Sequence, residues 1–404
     1  MSAVLCRLCA APLTRTFVDL GMSPLCESFL RADQIDARES FYPLHVRICE
    51  ECLLVQLPAY VPGEEIFSDY AYFSSYSDSY VEHQRQYANR MIDELGLMRD
   101  SLVTEVASND GYLLQHFVAK GIPVLGVEPA TNIVEVARAK GIRTENCFLT
   151  PETAVSLSER HGQADLVAAN NVYAHIPDLI GFSRGLAELV KPDGLVTIEV
   201  QHLLTMMRGK QYDTIYHEHY HYLTLLTAQR ALATAGLTVT DVELIGTHGG
   251  SLRIFARHQG TPGPRVAEVL EMEKDLHTVE GHMGFAESVF TIKRDLMTFL
   301  YAARAEGKRV VGYGAPGKGN TLLNHCGIRA DLLEYTVDRN PHKHGMFLPG
   351  THLPIHHPDR IAQDRPDYVL VLPWNLRREL AAQLAYVRDW GGRLVFPIPN
   401  LEII

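Results

Sequence analysis

The sequence has little positive charge and no long apolar run. Its 404 residues include 37 Lys and Arg against 48 Asp and Glu, so the formal net charge is −11, and no basic cluster interrupts the acidic excess. Because nucleic-acid binding depends on cationic side chains that neutralise phosphates, we expect no nucleic-acid partner. No stretch approaches the roughly 18 apolar residues of a membrane-spanning helix, and the opening MSAVLCRLCAAPL does not resemble a secretion signal. We therefore expect no membrane partner and a cytoplasmic location.

The bulk composition is that of a globular protein. Apolar residues make up 46% of the chain and charged residues 21%, and the sequence shows neither an internal repeat nor a low-complexity tract. A chain of this length exceeds one ordinary hydrophobic core. Two or three domains are therefore expected, in a monomer or weak oligomer.

Four of the seven cysteines form two pairs with C-x2-C spacing, Cys6 with Cys9 and Cys49 with Cys52. In a reducing compartment such pairs are typical of metal thiolates rather than disulfides. Four thiolates complete a tetrahedron around zinc and leave no position for substrate, so the pairs predict a structural zinc site. The alternative is two redox-active or unused pairs.

Strand-like and helix-like segments alternate along most of the chain. The apolar runs SLVTEVA, IPVLGVEP, ADLVAANNV and GLVTIEVQ are separated by helical segments, which is typical of a parallel, doubly wound α/β sheet. LTVTDVELIG and SLRIFARH predict a closing antiparallel hairpin. Residues 264–306 are predicted to be helical, and the strand-and-turn series after them predicts a smaller Rossmann-like domain. The expected domains are a zinc-binding module (1–68), the main α/β domain (69–258), and a helical connector with the Rossmann-like domain (259–404).

Polar side chains follow the predicted parallel strands, where such sheets bind ligands. Glu105 ends the first strand, and Asn109 and Gly111 follow in the turn; the glycine would let backbone approach a ligand closely. This turn is not a G-x-G-x-x-G motif, which argues against a pyrophosphate cradle. Glu128 ends the next strand and is a candidate acceptor for ribose hydroxyls. A later strand ends in two asparagines suited to binding adenine or an amino-acid group, Asn170 and Asn171.

The most unusual stretch is IYHEHYHYL, residues 215–223, with three histidines, three tyrosines and a glutamate. In a strand, the alternating histidines at 217, 219 and 221 would share one face. In a helix, Tyr216 would align with Tyr220 and Glu218 with Tyr222. An exposed polar loop is the alternative. A catalytic metal is a third interpretation, but the HExxH helical spacing is absent.

GYGAPGKGN, residues 312–320, places spaced glycines after a predicted strand. Gly314, Lys318 and Asn320 are candidates for holding a diphosphate at a helix start. The alternative is a tight structural turn. The five histidines of residues 340–360 lie in a Pro/Gly-rich loop and are expected to be solvated.

Taken together, the strand-end motifs resemble the class I S-adenosylmethionine-dependent methyltransferases. The ordered series of cysteine pairs, TEVASNDGYLL, NVYAHIPD, YHEHYHYLTL, THGGSLRIFARH and GYGAPGKGN resembles, more narrowly, the nucleotide-sugar C-methyltransferases over nearly the whole chain. The resemblance implies a class I methyltransferase sheet flanked by an N-terminal zinc-binding module and a C-terminal Rossmann-like domain. It also implies S-adenosylmethionine as cofactor, bound by the strand-end residues.

The resemblance assigns roles around a sugar pocket. It implies active-site roles for Tyr216, Glu218, His219 and His175, and for one tyrosine of the stretch after the zinc-binding module. We choose Tyr70, with Tyr72 and Tyr76 as alternatives. Two residues of THGGSLRIFARH, His248 and Arg253, are expected to join Gly314, Lys318 and Asn320 in binding the nucleotide-sugar.

The implied reaction is C-methylation of a nucleoside-diphosphate 4-keto-deoxysugar next to its ketone. A base must remove the α proton, for which we favour His219, and donors must stabilise the enolate oxygen. Alternatives are O-methylation, another keto substrate, or a non-catalytic zinc-ribbon binding protein.

Overall fold

The computed structural model describes residues 4–63, 75 and 78–404, without the side chains of residues 78, 79 and 248. The strands in this part of the chain are β1 (Arg15–Ser23), β2 (Tyr42–Ile48), β3 (Val55–Gln56), β4 (Val103–Val106), β5 (Val124–Val127), β6 (Thr144–Glu145), β7 (Ala164–Asn170), β8 (Val190–Gln201), β9 (His221–Tyr222), β10 (Thr238–Ile245), β11 (Ser251–Arg257), β12 (Val310–Tyr313), β13 (Thr336–Val337), β14 (Ile355–His356), β15 (Tyr368–Val371), β16 (Arg393–Phe396) and β17 (Glu402–Ile403). The α-helices are α1 (Asp78–Leu95), α2 (Leu114–Val118), α3 (Thr131–Ala139), α4 (Pro151–His161), α5 (Leu179–Leu189), α6 (Leu203–Arg208), α7 (Leu225–Ala233), α8 (Pro264–Met272), α9 (Phe285–Ala305), α10 (Gly317–Cys326), α11 (Arg360–Asp364) and α12 (Arg377–Gln383).

The chain forms two compact units, each built from separate segments. Unit 1 contains Met1–Thr14, Ile48–Leu203 and Tyr220–Gly281, and unit 2 contains Arg15–Arg47, Leu204–His219 and His282–Ile404. The segment between the two cysteine pairs therefore belongs to unit 2, as does most of the histidine-rich stretch. The three domain boundaries expected from the sequence stay a prediction.

Unit 1 is organised around a seven-stranded sheet of order β10-β11-β8-β7-β4-β5-β6 among the described residues. The strands from β4 to β8 pair in parallel, and β10 and β11 add the antiparallel hairpin that the sequence predicts. Every residue of β4 and β5 is buried, including the polar Thr104 and Glu105 of β4. The chain proceeds from β4 to β5 and β6 on one side and returns to β7 and β8 on the other, so the topological switch point lies between β4 and β7.

Helices cover both faces of this sheet. Buried residues of α1 and α2 pack with one set of strand side chains, and buried residues of α4, α5 and α7 pack with the other. Threonines stabilise two of these helices at their N-termini: the Thr150 hydroxyl accepts the Thr153 N–H before α4, and the Thr224 hydroxyl accepts the Thr227 N–H before α7. The cap at Thr224 ends the histidine-rich stretch and starts α7.

Unit 2 contains the predicted Rossmann-like sheet, of order β14-β13-β12-β15-β16-β17 among the described residues. All its pairings are parallel except that of β16 with β17. Strands β1 and β2 also lie in this unit, and Phe17 of β1 stacks on Phe285 of α9 with ring centroids 5.0 Å apart. In the described parts of the chain, no helix has the length and apolar character needed to cross a bilayer.

Candidate active site

The four paired cysteines come together in unit 1. Their sulfur atoms all lie within 4.8 Å of one another, with Cys6 and Cys52 at 3.4 Å and Cys9 and Cys49 at 3.4 Å. Around zinc, with Zn–S bonds of about 2.3 Å, tetrahedral sulfurs are about 3.8 Å apart, so the cluster fits this ion. The Gln56 amide donates to the Cys6 sulfur at 3.1 Å, which favours the thiolate. With four protein ligands, the zinc is structural.

Glu105 lies on β4 beside the switch point and is fully buried. Tyr112 lies beside its carboxylate, whose two oxygens make no hydrogen bond of good geometry with the described residues. Burial raises the pKa of Glu105 well above 4.5; the Tyr112 hydroxyl opposes this rise, and the nearby carboxylates of Glu128 and Asp110 add to it. An ionised carboxylate in this position requires a cationic or hydrogen-bonding ligand.

Glu128 follows β5 and is held by two backbone amides. One carboxylate oxygen accepts the Asn109 N–H at 2.9 Å, and the other accepts the Ala130 N–H at 3.0 Å. Both contacts orient the side chain at the carboxyl edge of the sheet, and each oxygen keeps a lone pair for a further donor. Asn109 adopts a left-handed conformation with φ of 47°.

Gly111 has a packing reason to be glycine. Its φ is +79°, and an added Cβ would lie 2.0 Å from Cδ1 of Ile142. The structure therefore accounts for this glycine without a ligand, and its proposed contact with the cofactor stays a prediction.

Asn170 and Asn171 both contact helix α1. The Asn170 amide donates to Gln84 Oε1 at 3.3 Å, and the Asn171 amide donates to the Tyr80 hydroxyl at 2.7 Å. The Asn170 carbonyl oxygen is buried without a partner among the described residues.

The sequence analysis missed the polar face of α1 and the glutamate that it covers. His83 Nε2 lies 3.2 Å from Glu199 Oε1, and the Arg253 guanidinium bonds to the same carboxylate. Burial raises the pKa of Glu199, but the His83 hydrogen bond and the Arg253 charge outweigh it and leave the pKa below 4.5. The spacing of Tyr80, His83 and Gln84 on one helical face was the available signal.

These residues fit S-adenosylmethionine, whose sulfonium and ammonium groups are cationic and whose ribose offers two hydroxyls. Glu105 supplies a buried carboxylate, Glu128 an oriented acceptor pair, and Asn170 an amide oxygen without a hydrogen-bond partner in the described part of the chain. They lie around the switch point, where open α/β sheets bind ligands.

The histidine-rich stretch is neither a continuous strand nor an exposed loop. A 3-10 turn at Tyr212–Thr214 precedes it, and in this stretch only His221 and Tyr222 are in a strand. Glu218 is 4% exposed, so the exposed-loop alternative is wrong for this side chain. The three histidines do not share one strand face, because residues 216–218 form a turn. Among the described residues, only the four cysteines form a cluster able to ligate a metal.

The histidines of this stretch have different environments. Burial lowers the pKa of His217 to about 4, and its ring lies edge-on to Tyr42 with centroids 5.8 Å apart. Burial also lowers the pKa of His221 well below 6.5, and neither ring nitrogen of His221 has a hydrogen-bond partner in the described residues. His219 is half-buried, so it is the best placed of the three to reach a ligand.

The His219 ring is held by the backbone of its own segment. Its Nδ1 lies 2.7 Å from the Thr214 carbonyl oxygen, and its ring centroid lies 4.0 Å from that of Tyr216. Glu218 Oε1 accepts the Cys26 thiol at 3.7 Å. Tyr216, Glu218 and His219 therefore share one turn of unit 2.

The remaining active-site candidates lie elsewhere in the chain. His175 ends a 3-10 turn of unit 1 and is half-buried, with its backbone N–H donated to the Val172 carbonyl at 2.7 Å. Tyr70, Tyr72 and Tyr76 lie outside the described residues. The roles of His175 and the tyrosines stay predictions.

The candidate substrate residues have partners within the protein. Lys318 Nζ donates to Asn375 Oδ1 at 2.8 Å, and Asn320 Nδ2 donates to the Cys26 carbonyl at 2.6 Å. Gly314 has φ of +89°, and an added Cβ would lie 2.6 Å from Pro373. Arg253 is engaged by Glu199, and the His248 side chain lies outside the described part of the chain. Substrate binding by these five residues stays a prediction.

Three family models match successive parts of the chain. Family models match residues 6–67 (zinc binding domain), 80–242 (methyltransferase domain) and 246–399 (C-methyltransferase C-terminal domain). C-methyltransferase NovU of Streptomyces niveus is 33% identical over 404 residues, which cover 99% of this chain and 96% of that protein. A ubiquinone biosynthesis O-methyltransferase of Yersinia enterocolitica is 30% identical over 108 residues, or 26% of this chain and 45% of that protein. The crystal structure of magnesium protoporphyrin IX methyltransferase from Synechocystis aligns with 45% of this chain and 82% of that chain, with a TM-score of 0.34 and 17% identity, which is too distant to support an inference.

Proposed function

Because this chain belongs to the S-adenosylmethionine-dependent C-methyltransferases, we propose that its substrate is a nucleoside-diphosphate-linked 4-keto-deoxysugar. The methyl group would be added to a carbon next to the ketone. The ordered motifs that resemble the nucleotide-sugar C-methyltransferases support this substrate class. Unit 2 supports it as well, since a second Rossmann-like sheet offers a place for the nucleotide.

The hydrogen bond between His219 and Thr214 is the observation that carries the proposed mechanism. A carbonyl oxygen only accepts hydrogen bonds, so Nδ1 of His219 bears the proton in the neutral ring. Nε2 then carries the lone pair, which is the state a general base needs. Imidazole is also the side chain most readily neutral and basic near pH 7. We therefore assign removal of the α proton to Nε2 of His219.

Removal of this proton places negative charge on the ketone oxygen, which needs a donor already in position. The Tyr216 hydroxyl is our first candidate, because its ring packs on His219 in the same turn. His175 and Tyr70 are the alternatives. Glu218 orients this turn or binds sugar hydroxyls.

When bound, S-adenosylmethionine supplies an electrophilic methyl group for the carbanion. The residues proposed to hold it are Glu105, Asn109, Gly111, Glu128, Asn170 and Asn171. Their task is to fix the cofactor so that its methyl faces the deprotonated carbon in line.

The test combines methyl transfer with hydrogen exchange. The protein is incubated with methyl-labelled S-adenosylmethionine and a panel of nucleoside-diphosphate 4-keto-sugars, and NMR locates the label. We expect it on a carbon next to the ketone; label on oxygen, or transfer only to keto compounds without a nucleotide, would contradict the proposed substrate.

Exchange of the α hydrogen in deuterated water, followed with S-adenosylhomocysteine in place of the methyl donor, isolates proton removal. His219→Asn keeps the shape of the ring edge but deletes the base, so exchange and methylation should both fall by about two to four orders of magnitude. His342→Asn, in an exposed loop of unit 2, is the matched control and should behave as wild type. Exchange at the wild-type rate in His219→Asn would transfer the role of base to His175 or Tyr216.

A further inference from the structure

Helix α10 packs on the 3-10 turn Tyr212–Thr214, which comes just before the turn that carries His219 and Glu218. This helix follows GYGAPGKGN, and Asn320 and Thr321 are 1% and 2% exposed. Their contacts, like that of Lys318, are with the chain itself rather than with solvent.

An acidic side chain already faces the start of the helix. The Glu27 carboxylate hydrogen-bonds the Gly317 amide, and Lys343 lies 3.6 Å from Glu27. An added Cβ on Gly317 would lie 2.9 Å from both the Cys26 sulfur and a Glu27 oxygen. The place that a diphosphate would take at this helix start is thus occupied by Glu27.

Two side chains of α10 contact the chain at the start of the histidine-rich stretch and just before it. The Thr321 hydroxyl donates to the Ile215 carbonyl at 3.0 Å. The hydroxyl of Tyr212 and the sulfur of Cys326, at the end of the helix, are 3.5 Å apart. Thr214, whose carbonyl accepts the His219 proton, lies between these two anchored residues.

Asp213, a buried acidic residue of the same 3-10 turn, makes a further contact. Asp213 is fully buried, and its Oδ2 accepts the Trp374 indole N–H at 2.6 Å. Lys318 lies over the Trp374 ring, 5.0 Å from its centroid. Burial raises the pKa of Asp213 to about 6, and the Lys318 charge opposes the rise.

A third side chain of α10 bonds to Cys26, the residue whose thiol contacts Glu218. Asn320 donates to the Cys26 carbonyl at 2.6 Å, and the Cys26 thiol donates to Glu218 at 3.7 Å. One helix thus fixes the neighbours of both His219 and Glu218.

We propose that Lys318, Asn320 and Thr321 are positioning residues that hold the His219 and Glu218 turn, rather than contacts to the diphosphate of the substrate. This role rests on the proposed function of His219 as base. Thr321 fixes the position of the Thr214 carbonyl through its bond to Ile215. Asn320 fixes the position of Glu218 through Cys26. Lys318 and Trp374 offset the negative charge of Asp213.

The first test is Thr321→Val, which keeps the shape of the side chain and removes its donor. We expect kcat and α-hydrogen exchange to fall roughly 10- to 100-fold, as for a misplaced catalytic group, with KM for the nucleotide-sugar unchanged within about twofold. Thr321→Ser, which restores the hydroxyl, should recover most of the activity. Wild-type kcat in a folded Thr321→Val protein, or no recovery in Thr321→Ser, would overturn the proposal.

The second test needs no substrate, so it separates this inference from the proposed reaction. Nitrogen NMR of the ¹⁵N-histidine-labelled protein, with the signal assigned through His219→Asn, reports which ring nitrogen bears the proton. We expect the Nδ1–H form in wild type and a mixture of both forms in Thr321→Val. An unchanged tautomer would overturn the positioning role, whereas wild-type inactivity on keto-sugar nucleotides with the expected tautomers would contradict only the proposed function.

Lys318→Met distinguishes positioning from diphosphate binding. A positioning residue predicts lower kcat with the Kd for the nucleoside diphosphate unchanged. A Kd raised more than about tenfold with kcat preserved would instead show that Lys318 binds the diphosphate.

Discussion

Glu128→Gln is the sharpest perturbation of the candidate cofactor site, because it removes the charge and keeps the shape. In the protein, the two oxygens of Glu128 each accept one backbone amide, from Asn109 and from Ala130. The amide nitrogen of a glutamine has to face one of these N–H groups, so one hydrogen bond is lost and one donor is left unpaired. That loss costs about 1–3 kcal/mol.

The substitution also removes a cost, since burial raises the pKa of Glu128 and the ionised side chain is therefore poorly solvated. The two effects oppose each other. We therefore expect only a small change in the free energy of unfolding of the unliganded protein, so a large change in ligand affinity would report binding rather than folding.

Binding of S-adenosylmethionine should lose the charge-assisted contacts to the ribose hydroxyls, worth about 2–3 kcal/mol. This corresponds to a Kd about 30- to 150-fold higher, which isothermal titration calorimetry resolves. Glu135→Gln, an exposed glutamate of α3, is the matched control and should leave the Kd unchanged.

A 2′-deoxy analogue of S-adenosylhomocysteine completes a double-mutant cycle. It should bind wild type more weakly than the parent ligand, and the two ligands should bind Glu128→Gln almost equally. Additive losses, or an unchanged Kd in a folded Glu128→Gln protein, would refute the assignment of Glu128 to the ribose.

The zinc cluster and a buried histidine give two further predictions. Metal analysis of protein purified without chelator should find one zinc per chain. Cys49→Ser should lower both the zinc content and the melting temperature, whereas the control Cys147→Ser, outside the cluster, should keep the metal. Stoichiometric zinc in Cys49→Ser would contradict the four-cysteine site. In the unfolded chain His217 takes up a proton near pH 6.5, whereas in the folded protein its ring stays neutral to about pH 4. His217 should therefore lower the free energy of unfolding as the pH falls through that interval, by about 1.4 kcal/mol per pH unit. His217→Phe, measured by urea unfolding between pH 7 and 4.5, should flatten this dependence, and an equally steep slope would show that His217 is not its source.

Features that depend on local spacing were predictable. The two C-x2-C pairs place their sulfurs as zinc requires, and Glu105, Glu128 and Asn170 stand at strand ends because apolar runs and turns mark those ends in the sequence. The hairpin of β10 and β11 was predictable for the same reason, since its two strands are neighbours in the chain.

Features that depend on contacts between distant segments were not predictable. The hydrogen bond from Asn320 to Cys26 joins residues 294 positions apart, and no sequence pattern near either residue predicts it. The alternation of histidines at 217, 219 and 221 did not decide between a strand and a helix, and the structure has a turn before β9 instead. The sequence pattern around Lys318 is typical of an anion-binding site, whereas in the structure its ammonium group lies over the Trp374 ring.

The interleaving of the two units has a consequence for synthesis in the cell. The chain passes between them five times, so a single truncation cannot release either unit whole. Residues 15–47 emerge from the ribosome about 235 residues before His282 begins the rest of their unit, which is roughly 10–50 s at about 5–20 residues per second. During that interval β1 lacks the α9 and α10 surfaces that contact it, and the four cysteines at either end of this segment are already available. Zinc captured at that stage would close the segment into a loop and hold it ready for the second half of the chain.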